Sequence, residues 1–132
     1  MKARFSELVR LMARLRAPGG CPWDAKQTHD SLLKFLREES REVAHAVRKR
    51  DWENLQEELG DVLLQVLFHA ELARESGRFD IGDVMTTLRE KLVRRHPHVF
   101  GPRKGPALSP AEVLRRWERI KADEKRSLRK RR

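Results

Sequence analysis

The sequence predicts an all-α fold of about five helices in one domain. Three observations support this prediction: the chain is rich in Leu, Arg, Glu and Ala; apolar residues recur at helical spacing through most of it; and capping residues precede the periodic stretches. A chain of 132 residues with 39% hydrophobic side chains is long enough for a single core. The residue pattern therefore predicts a helical domain over residues 1–126.

Each predicted helix begins at a residue whose side chain can accept a hydrogen bond from a free backbone N–H group. These caps are Ser6, Thr28 or Asp30, Asp51, Asp80 and Ser109. Pro and Gly mark the ends, because Pro disfavours helix before it and Gly accepts the left-handed conformation. The predicted ends lie before Pro18, near Arg48, at Gly77 and before Pro97. Residues 96–108 hold three Pro and two Gly and are predicted to form a loop.

Positive charge is concentrated at the end of the chain. The net charge is +10, and residues 115–132 contain ten Lys or Arg against three acids. We expect residues 127–132 to form a disordered basic tail, which would allow weak association with nucleic acid. One cysteine excludes an internal disulfide, and no apolar run is long enough to span a bilayer. We therefore expect a cytoplasmic protein with no membrane contact.

Two acidic pairs in helical sequence give the strongest indication of function: Glu39-x-x-Glu42 and Glu58-x-x-Asp61. Residues three apart lie on the same face of a helix, so each pair projects from one face. On a helical wheel Glu39 falls in the middle of an apolar stripe, with Glu38 and Glu42 along its edge. An acid in that position is expected to be at least partly buried.

In the helix after Asp51, polar residues within an apolar segment follow a single line. Asp61, Gln65 and His69 recur every four positions, and the line continues back through Glu58. Converging buried carboxylates repel each other unless a cation lies between them. Oxygen ligands favour hard cations, so we predict a Mg²⁺ site, or a Mn²⁺ site, with four ligands. The predicted ligands are Glu39, Glu42, Glu58 and Asp61.

The alternative interpretation is that these acids are solvated and form ion pairs with Arg37 and Arg41.

Apolar residues on many sides of the helix after Asp51 give a separate prediction. One partner layer cannot cover them all, so we predict a homodimer that shares its core.

Several segments together resemble the MazG-type nucleoside triphosphate pyrophosphohydrolases. They are CPWDAKQTHDSL, EESRE, LQEELGDVLLQVLFHAELA, KLVRRHPHVFG and WERIKADEK, in this order, from about Phe5 to Lys125. The resemblance implies a four-helix-bundle-type core, an intertwined homodimer and Mg²⁺ bound by an EExxE plus ExxD pattern. The pattern falls on Glu38, Glu39 and Glu42, and on Glu58 and Asp61. The best-known members carry two such units in tandem, whereas this sequence has one.

The resemblance also implies an activity, the hydrolysis of nucleoside triphosphates to the monophosphate and pyrophosphate. Glu38 is the candidate general base, because a carboxylate not engaged by metal can take a proton from water; pairing with Arg41 or Lys34 is the alternative. Lys91 and Arg95 are candidate phosphate contacts, although cations at a helix C-terminus also stabilise its dipole. Trp117 resembles the tryptophan that covers the nucleobase, and burial in the core is its alternative.

Three functions stay open at this point. The first is hydrolysis of a broad range of NTPs and dNTPs, which would clear the nucleotide pool. The second is a narrower pyrophosphatase for dNTPs or noncanonical nucleotides. The third is a nucleic-acid binding module that uses the basic tail; it leaves the converging carboxylates unexplained, and no helix interleaves Arg with Asn and Gln for base edges.

Overall fold

The computed structural model describes residues 1–102 and 105–131. Within those residues the chain forms seven helices and no strand, which confirms the all-α prediction. The helices are α1 (Lys2–Arg16), α2 (Pro22–Lys26), α3 (His29–Lys49), α4 (Trp52–Glu75), α5 (Ile81–Arg95), α6 (Pro97–Phe100) and α7 (Pro110–Arg131).

The predicted helix starts at Thr28, Asp51, Asp80 and Ser109 are confirmed. At α3, the Thr28 hydroxyl accepts a hydrogen bond from the Ser31 backbone N–H, and the Ser31 hydroxyl accepts one from the Thr28 N–H. Three further caps accept a hydrogen bond from the backbone N–H three residues later. These pairs are Asp51 with Asn54, Asp80 with Asp83, and Ser109 with Glu112.

The structure differs from the prediction at four places. Helix α1 begins at Lys2 instead of after Ser6, with Met1 at the cap and no side-chain hydrogen bond there. Helices α2 and α6 lie in predicted loops; each begins with a proline, whose fixed φ suits the first helical position. Helix α7 continues to Arg131 through the segment predicted to be a disordered tail, because Lys, Arg and Leu are good helix formers.

The contacts divide the chain into two units, Met1–Val84 and Met85–Arg132. In the first unit α3 packs mainly against α4, and α1 packs against both α2 and α4. Arg50 ends α3 in the left-handed conformation (φ 56°), which turns the chain back into α4. The core of this unit is formed by Met12, Leu32, Leu67 and Phe68. Partly buried residues around it are Phe5, Val9, Phe35, Leu72 and Ile81.

The stretch 59–66 of α4 has apolar residues that the described part of the chain leaves exposed. Leu59, Leu63, Leu64 and Val66 keep between 37% and 52% of their surface exposed. Leu67 and Phe68, which follow directly, lie in the core.

In the second unit, the part of α5 after Val84 and helix α7 are joined by ion pairs from Arg94 and Arg95 to Glu124. Over the described residues, no helix has a stretch both long and apolar enough to cross a bilayer. The cytoplasmic location stays a prediction.

Candidate metal centre

Three of the predicted ligands meet between α3 and α4 in the first unit. Glu39 comes from α3, Glu58 and Asp61 come from α4, and one carboxylate oxygen of each lies within 4.8 Å of the others. All three side chains are partly buried. The spacing Glu58-x-x-Asp61 directs both α4 acids to the face that packs against α3. This is the arrangement that the position of Glu39 in the apolar stripe predicted.

Glu39 is the most strongly perturbed acid of the cluster. Its Oε2 atom is buried and has no hydrogen-bond partner among the described residues. Burial, followed by hydrogen bonding to Glu58 and the charges of Asp61, Glu58 and Glu42, raises the pKa of Glu39 from 4.5 to about 7. Negative neighbours and burial both disfavour the ionised form. Without a cation, Glu39 is therefore protonated in a large part of the molecules near neutral pH, and a cation beside it would favour the ionised form.

The residues present fit a hard divalent cation. The donor set is entirely carboxylate oxygen, which suits Mg²⁺ or Mn²⁺ better than a softer metal. Among the described residues, the buried Glu39 Oε2 atom is an acceptor without a donor, and a cation beside it would satisfy it. The acidic cluster can therefore bind a metal, and the identity of the metal as Mg²⁺ stays a proposal.

Two predicted residues lie outside this group of three. Glu42 is exposed, and its carboxylate is outside the group of three within 4.8 Å, although its charge still contributes to the raised pKa of Glu39. Glu38 is exposed, as a carboxylate must be to receive a proton from water. Their roles as fourth ligand and general base stay predictions.

The polar line on α4 continues beyond the carboxylates. Gln65 is 6% exposed, and its Oε1 atom has no partner among the described residues. His69 places its Nδ1 atom 2.7 Å from the His29 Nδ1 atom, with the two rings stacked at 11°. Burial and then the His29 charge lower the pKa of His69. The polar line on α4 is therefore buried at Gln65 and partly buried at His69.

The raised pKa of Glu39 predicts that metal-free stability depends on pH. The folded protein binds this proton more tightly than the unfolded chain, so the contribution of Glu39 is fully present below about pH 4.5. It is lost as the pH rises through about 7. In EDTA, we expect the wild-type melting temperature to fall relative to Glu39→Gln as the pH is raised from 5 to 8. His69 titrates in both proteins, so the difference between their melting curves isolates Glu39. Parallel curves would contradict the prediction.

The three predicted substrate contacts lie in the second unit, where they line one groove of roughly 630 Å³ between α5 and α7. Lys91 and Arg95 come from α5 and Trp117 from α7. The Arg95 guanidinium carbon lies 5.4 Å from the centre of the Trp117 ring. All three side chains are partly exposed, so a ligand could reach them.

Two further residues contact this group and were not predicted. The Lys121 Nζ atom lies 4.5 Å from the centre of the Trp117 ring, and Glu124 accepts hydrogen bonds from Arg94 and Arg95. Lys121 follows Trp117 by four residues, so helical spacing could have indicated it. The pairing of Glu124 depends on α5 packing beside α7, and no local pattern carries that information.

The chain is similar to known proteins over most of its length. Residues 27–100 match the family model described as the MazG nucleotide pyrophosphohydrolase domain. A Thermotoga maritima protein named nucleoside triphosphate pyrophosphohydrolase/pyrophosphatase MazG is 54% identical over 121 residues, which are 92% of this chain and 45% of that protein. An Escherichia coli nucleoside triphosphate pyrophosphohydrolase is 45% identical over 123 residues, covering 92% of this chain and 46% of its own.

A solved structure is similar over most of its length. The crystal structure of a mazG-related protein from Thermotoga maritima superposes with a TM-score of 0.71 at 33% identity, covering 89% of this chain and 98% of that chain. The chain spans about half the length of the two named pyrophosphohydrolases above. The family match covers all three clustered carboxylates, Glu39, Glu58 and Asp61. The chain belongs to the family of MazG nucleotide pyrophosphohydrolase domains.

Proposed function

We propose that this chain hydrolyses nucleoside triphosphates to the monophosphate and pyrophosphate with Mg²⁺ as its cofactor. The observation that carries the proposal is the convergence of the carboxylates of Glu39, Glu58 and Asp61. The buried Glu39 Oε2 atom has no hydrogen-bond partner in the described part of the chain, which adds to it. Family membership supports the reaction class. The named relatives are about twice as long as this chain. Activity of this chain without a second unit is therefore part of the proposal.

Glu39, Glu58 and Asp61 would hold Mg²⁺, with Glu42 as the proposed fourth ligand. When bound, the metal supplies neutralisation of the clustered phosphate charge and favours an oriented hydroxide or water. Glu38 is exposed on the same helix as Glu39, and we propose that it takes the proton from the attacking water. Mn²⁺ meets the same ligand preference and is the alternative metal.

Three residues of the second unit are proposed to contact the substrate. The ammonium of Lys91 and the guanidinium of Arg95 suit phosphate oxygens. Trp117 offers an aromatic surface for the nucleobase. Stacking without hydrogen bonds to base edges accepts every base, so a broad substrate range follows from these residues. Polar contacts to the base or sugar would instead give the narrower alternative.

The test is a survey of pyrophosphate release from the four common NTPs and the four common dNTPs, with Mg²⁺ and with EDTA. We expect release from most of them, equal amounts of monophosphate, and no release in EDTA. Release of inorganic phosphate in place of pyrophosphate would contradict the proposed bond cleavage. Release from dNTPs or a noncanonical nucleotide alone would identify the narrower enzyme.

The chain is also proposed to act as a homodimer. Exposed apolar residues on α4 support this proposal, because a second copy would remove them from water. They are Leu59, Leu63, Leu64 and Val66. Sedimentation at micromolar concentration is expected to give twice the chain mass of 15.5 kDa. A well-folded species of 15.5 kDa would contradict it.

Weak association with nucleic acid through the basic end of α7 is a separate proposal. Cations that neutralise phosphates release counterions, so any such binding falls as salt rises. Deleting residues 127–132 is expected to remove DNA retention at low salt and to leave NTP hydrolysis nearly unchanged. Equal DNA retention by both proteins would contradict this role.

A further inference from the structure

We propose that Glu124 is a positioning residue that holds the guanidinium groups of Arg94 and Arg95 ready for the substrate phosphates. The inference rests on the proposed function, because it assumes that Arg95 contacts the triphosphate. It assigns a role to a carboxylate that lies among cations, where a negatively charged side chain would by itself oppose an anionic substrate.

Glu124 binds both arginines through their Nε edges. Its Oε1 atom accepts from the Arg94 Nε–H at 2.8 Å, and its Oε2 atom accepts from the Arg95 NH2 group at 3.0 Å. Arg95 Nε lies 3.4 Å from Oε1, the longest of the three contacts. Hydrogen bonds from Arg95 and then Arg94 lower the pKa of Glu124 to about 2. Glu124 is therefore ionised at neutral pH, and both of its oxygens are engaged.

These contacts leave donors available. Within the described residues, the Arg95 Nη1 atom and both terminal nitrogens of Arg94 make no hydrogen bond. The Arg95 guanidinium is further confined by the Trp117 ring, whose centre is 5.4 Å away. A guanidinium held along one edge and one face keeps a fixed orientation for its remaining N–H groups, which is what bidentate recognition of phosphate requires.

The surroundings favour an anion in spite of Glu124. Residues from α5 and α7 line a groove of roughly 700 Å³, and its lining includes five cationic side chains and two carboxylates. The two carboxylates are Glu124 and Asp123. A groove of this size is within the range of small-molecule sites. The groove keeps a net positive charge, while Glu124 removes the repulsion between Arg94 and Arg95.

Two roles for Glu124 predict opposite results. A positioning carboxylate lowers the cost of ordering the arginine side chains when substrate binds, so its loss weakens binding. A carboxylate that competes with the triphosphate for the arginines would weaken binding while it is present, so its loss would strengthen binding. The two engaged oxygens and the remaining unengaged nitrogens favour the positioning role.

The experiment compares Glu124→Gln with the wild-type protein in pyrophosphate release with Mg²⁺. We expect KM for ATP to rise about tenfold while kcat stays within about twofold, because the reacting groups belong to other residues. Glu124→Asp keeps the charge and is expected to recover part of the lost KM. An unchanged or lowered KM in Glu124→Gln would overturn the proposal.

Asp123→Asn is the matched control. Asp123 precedes Glu124, lines the same groove and pairs with the exposed Arg126 instead of Arg94 or Arg95. Its substitution removes the same negative charge from the groove without releasing the two arginines. We expect its KM to be unchanged or slightly lowered. A rise equal to that of Glu124→Gln would assign the effect to the overall charge and overturn the positioning role.

A double-mutant cycle separates positioning from loss of folding. In an Arg94→Gln, Arg95→Gln background, Glu124→Gln has nothing left to position and is expected to leave KM unchanged. A further tenfold rise in that background would mean a general structural defect and would overturn the proposal. Wild-type protein that releases no pyrophosphate would defeat the proposed function instead, so the two failures are distinguishable.

Discussion

Replacement of Glu39 by Gln is expected to abolish NTP hydrolysis and, at the same time, to preserve or raise the melting temperature of the metal-free protein. Activity should be lost because the substitution removes a ligand charge from the cluster of Glu39, Glu58 and Asp61. Loss of outer-shell partners alone costs about 10- to 100-fold, so loss of a ligand should reduce pyrophosphate release by at least about 100-fold.

The opposite effect on stability follows from the same geometry. In the absence of metal, burial and three neighbouring acids disfavour an ionised Glu39, and an uncharged amide of similar shape removes that repulsion. A metal ion that binds only the folded state stabilises it by about 2.7 kcal/mol when the free metal concentration is about 100 times the Kd. That corresponds to roughly 5–10 °C for a domain of this size. The wild-type protein should show this gain on addition of Mg²⁺, and Glu39→Gln should show much less.

The measurement is a set of melting curves with Mg²⁺ and with EDTA, beside pyrophosphate release, for wild type, Glu39→Gln and Asp61→Asn. Glu57→Gln is the matched control, because Glu57 is an exposed acid on α4 next to Glu58 and outside the cluster. It should keep both the activity and the Mg²⁺ response. Wild-type activity in Glu39→Gln and Asp61→Asn would contradict the metal centre, and so would an equal Mg²⁺ response in all four proteins.

The position of Glu39 could be predicted because the signal is local. An acid in the middle of an apolar stripe is unusual on any helix, and the E-x-x-D spacing on α4 adds two acids on one face. Helix starts are local in the same sense, since Thr28 and Asp51 cap the helices that immediately follow them. Two short helices were missed because four or five residues contain no apolar period, and only Pro22 and Pro97 marked their starts.

Contacts between helices could not be predicted in this way. Glu42 is three residues from Glu39 and was given an equal role, yet it is exposed and lies outside the group of three. Glu124 could not be assigned from the sequence, because its partners Arg94 and Arg95 are about 30 residues away on another helix. The family resemblance indicated Lys91, Arg95 and Trp117, whereas the contacts that fix Arg95 became visible only in the structure.

The sequence also could not predict which apolar residues of α4 are buried in the core. Its segment from Asp61 to Ala70 is apolar nearly all round, so the sequence could not specify which side faces α1 and α3. In the structure Phe68 is 2% exposed and belongs to the core, whereas Leu64, one turn earlier, is 41% exposed. The difference comes from the packing partners of α4, which no periodicity within α4 can define.

Phe68→Ala is therefore expected to be among the most destabilising single substitutions in the first unit. Phe68 packs in the cluster with Met12, Leu32 and Leu67. The Arg16 guanidinium carbon lies 5.7 Å from the centre of the Phe68 ring. Truncation of a buried Phe to Ala costs about 3–5 kcal/mol, since it removes apolar burial and leaves a cavity. Domains of this kind have total stabilities of only about 5–15 kcal/mol. A large part of the population should then unfold at moderate urea concentrations.

Urea denaturation at one fixed protein concentration tests this expectation, because any association makes the midpoint depend on concentration. The midpoint should fall strongly while the slope stays constant, which assigns the change to stability and not to the unfolded state. Leu8→Ala on α1 is the control, as Leu8 is 40% exposed and its truncation should cost less than about 1 kcal/mol. A loss of less than about 1 kcal/mol for Phe68→Ala would mean that the core of the first unit lies elsewhere.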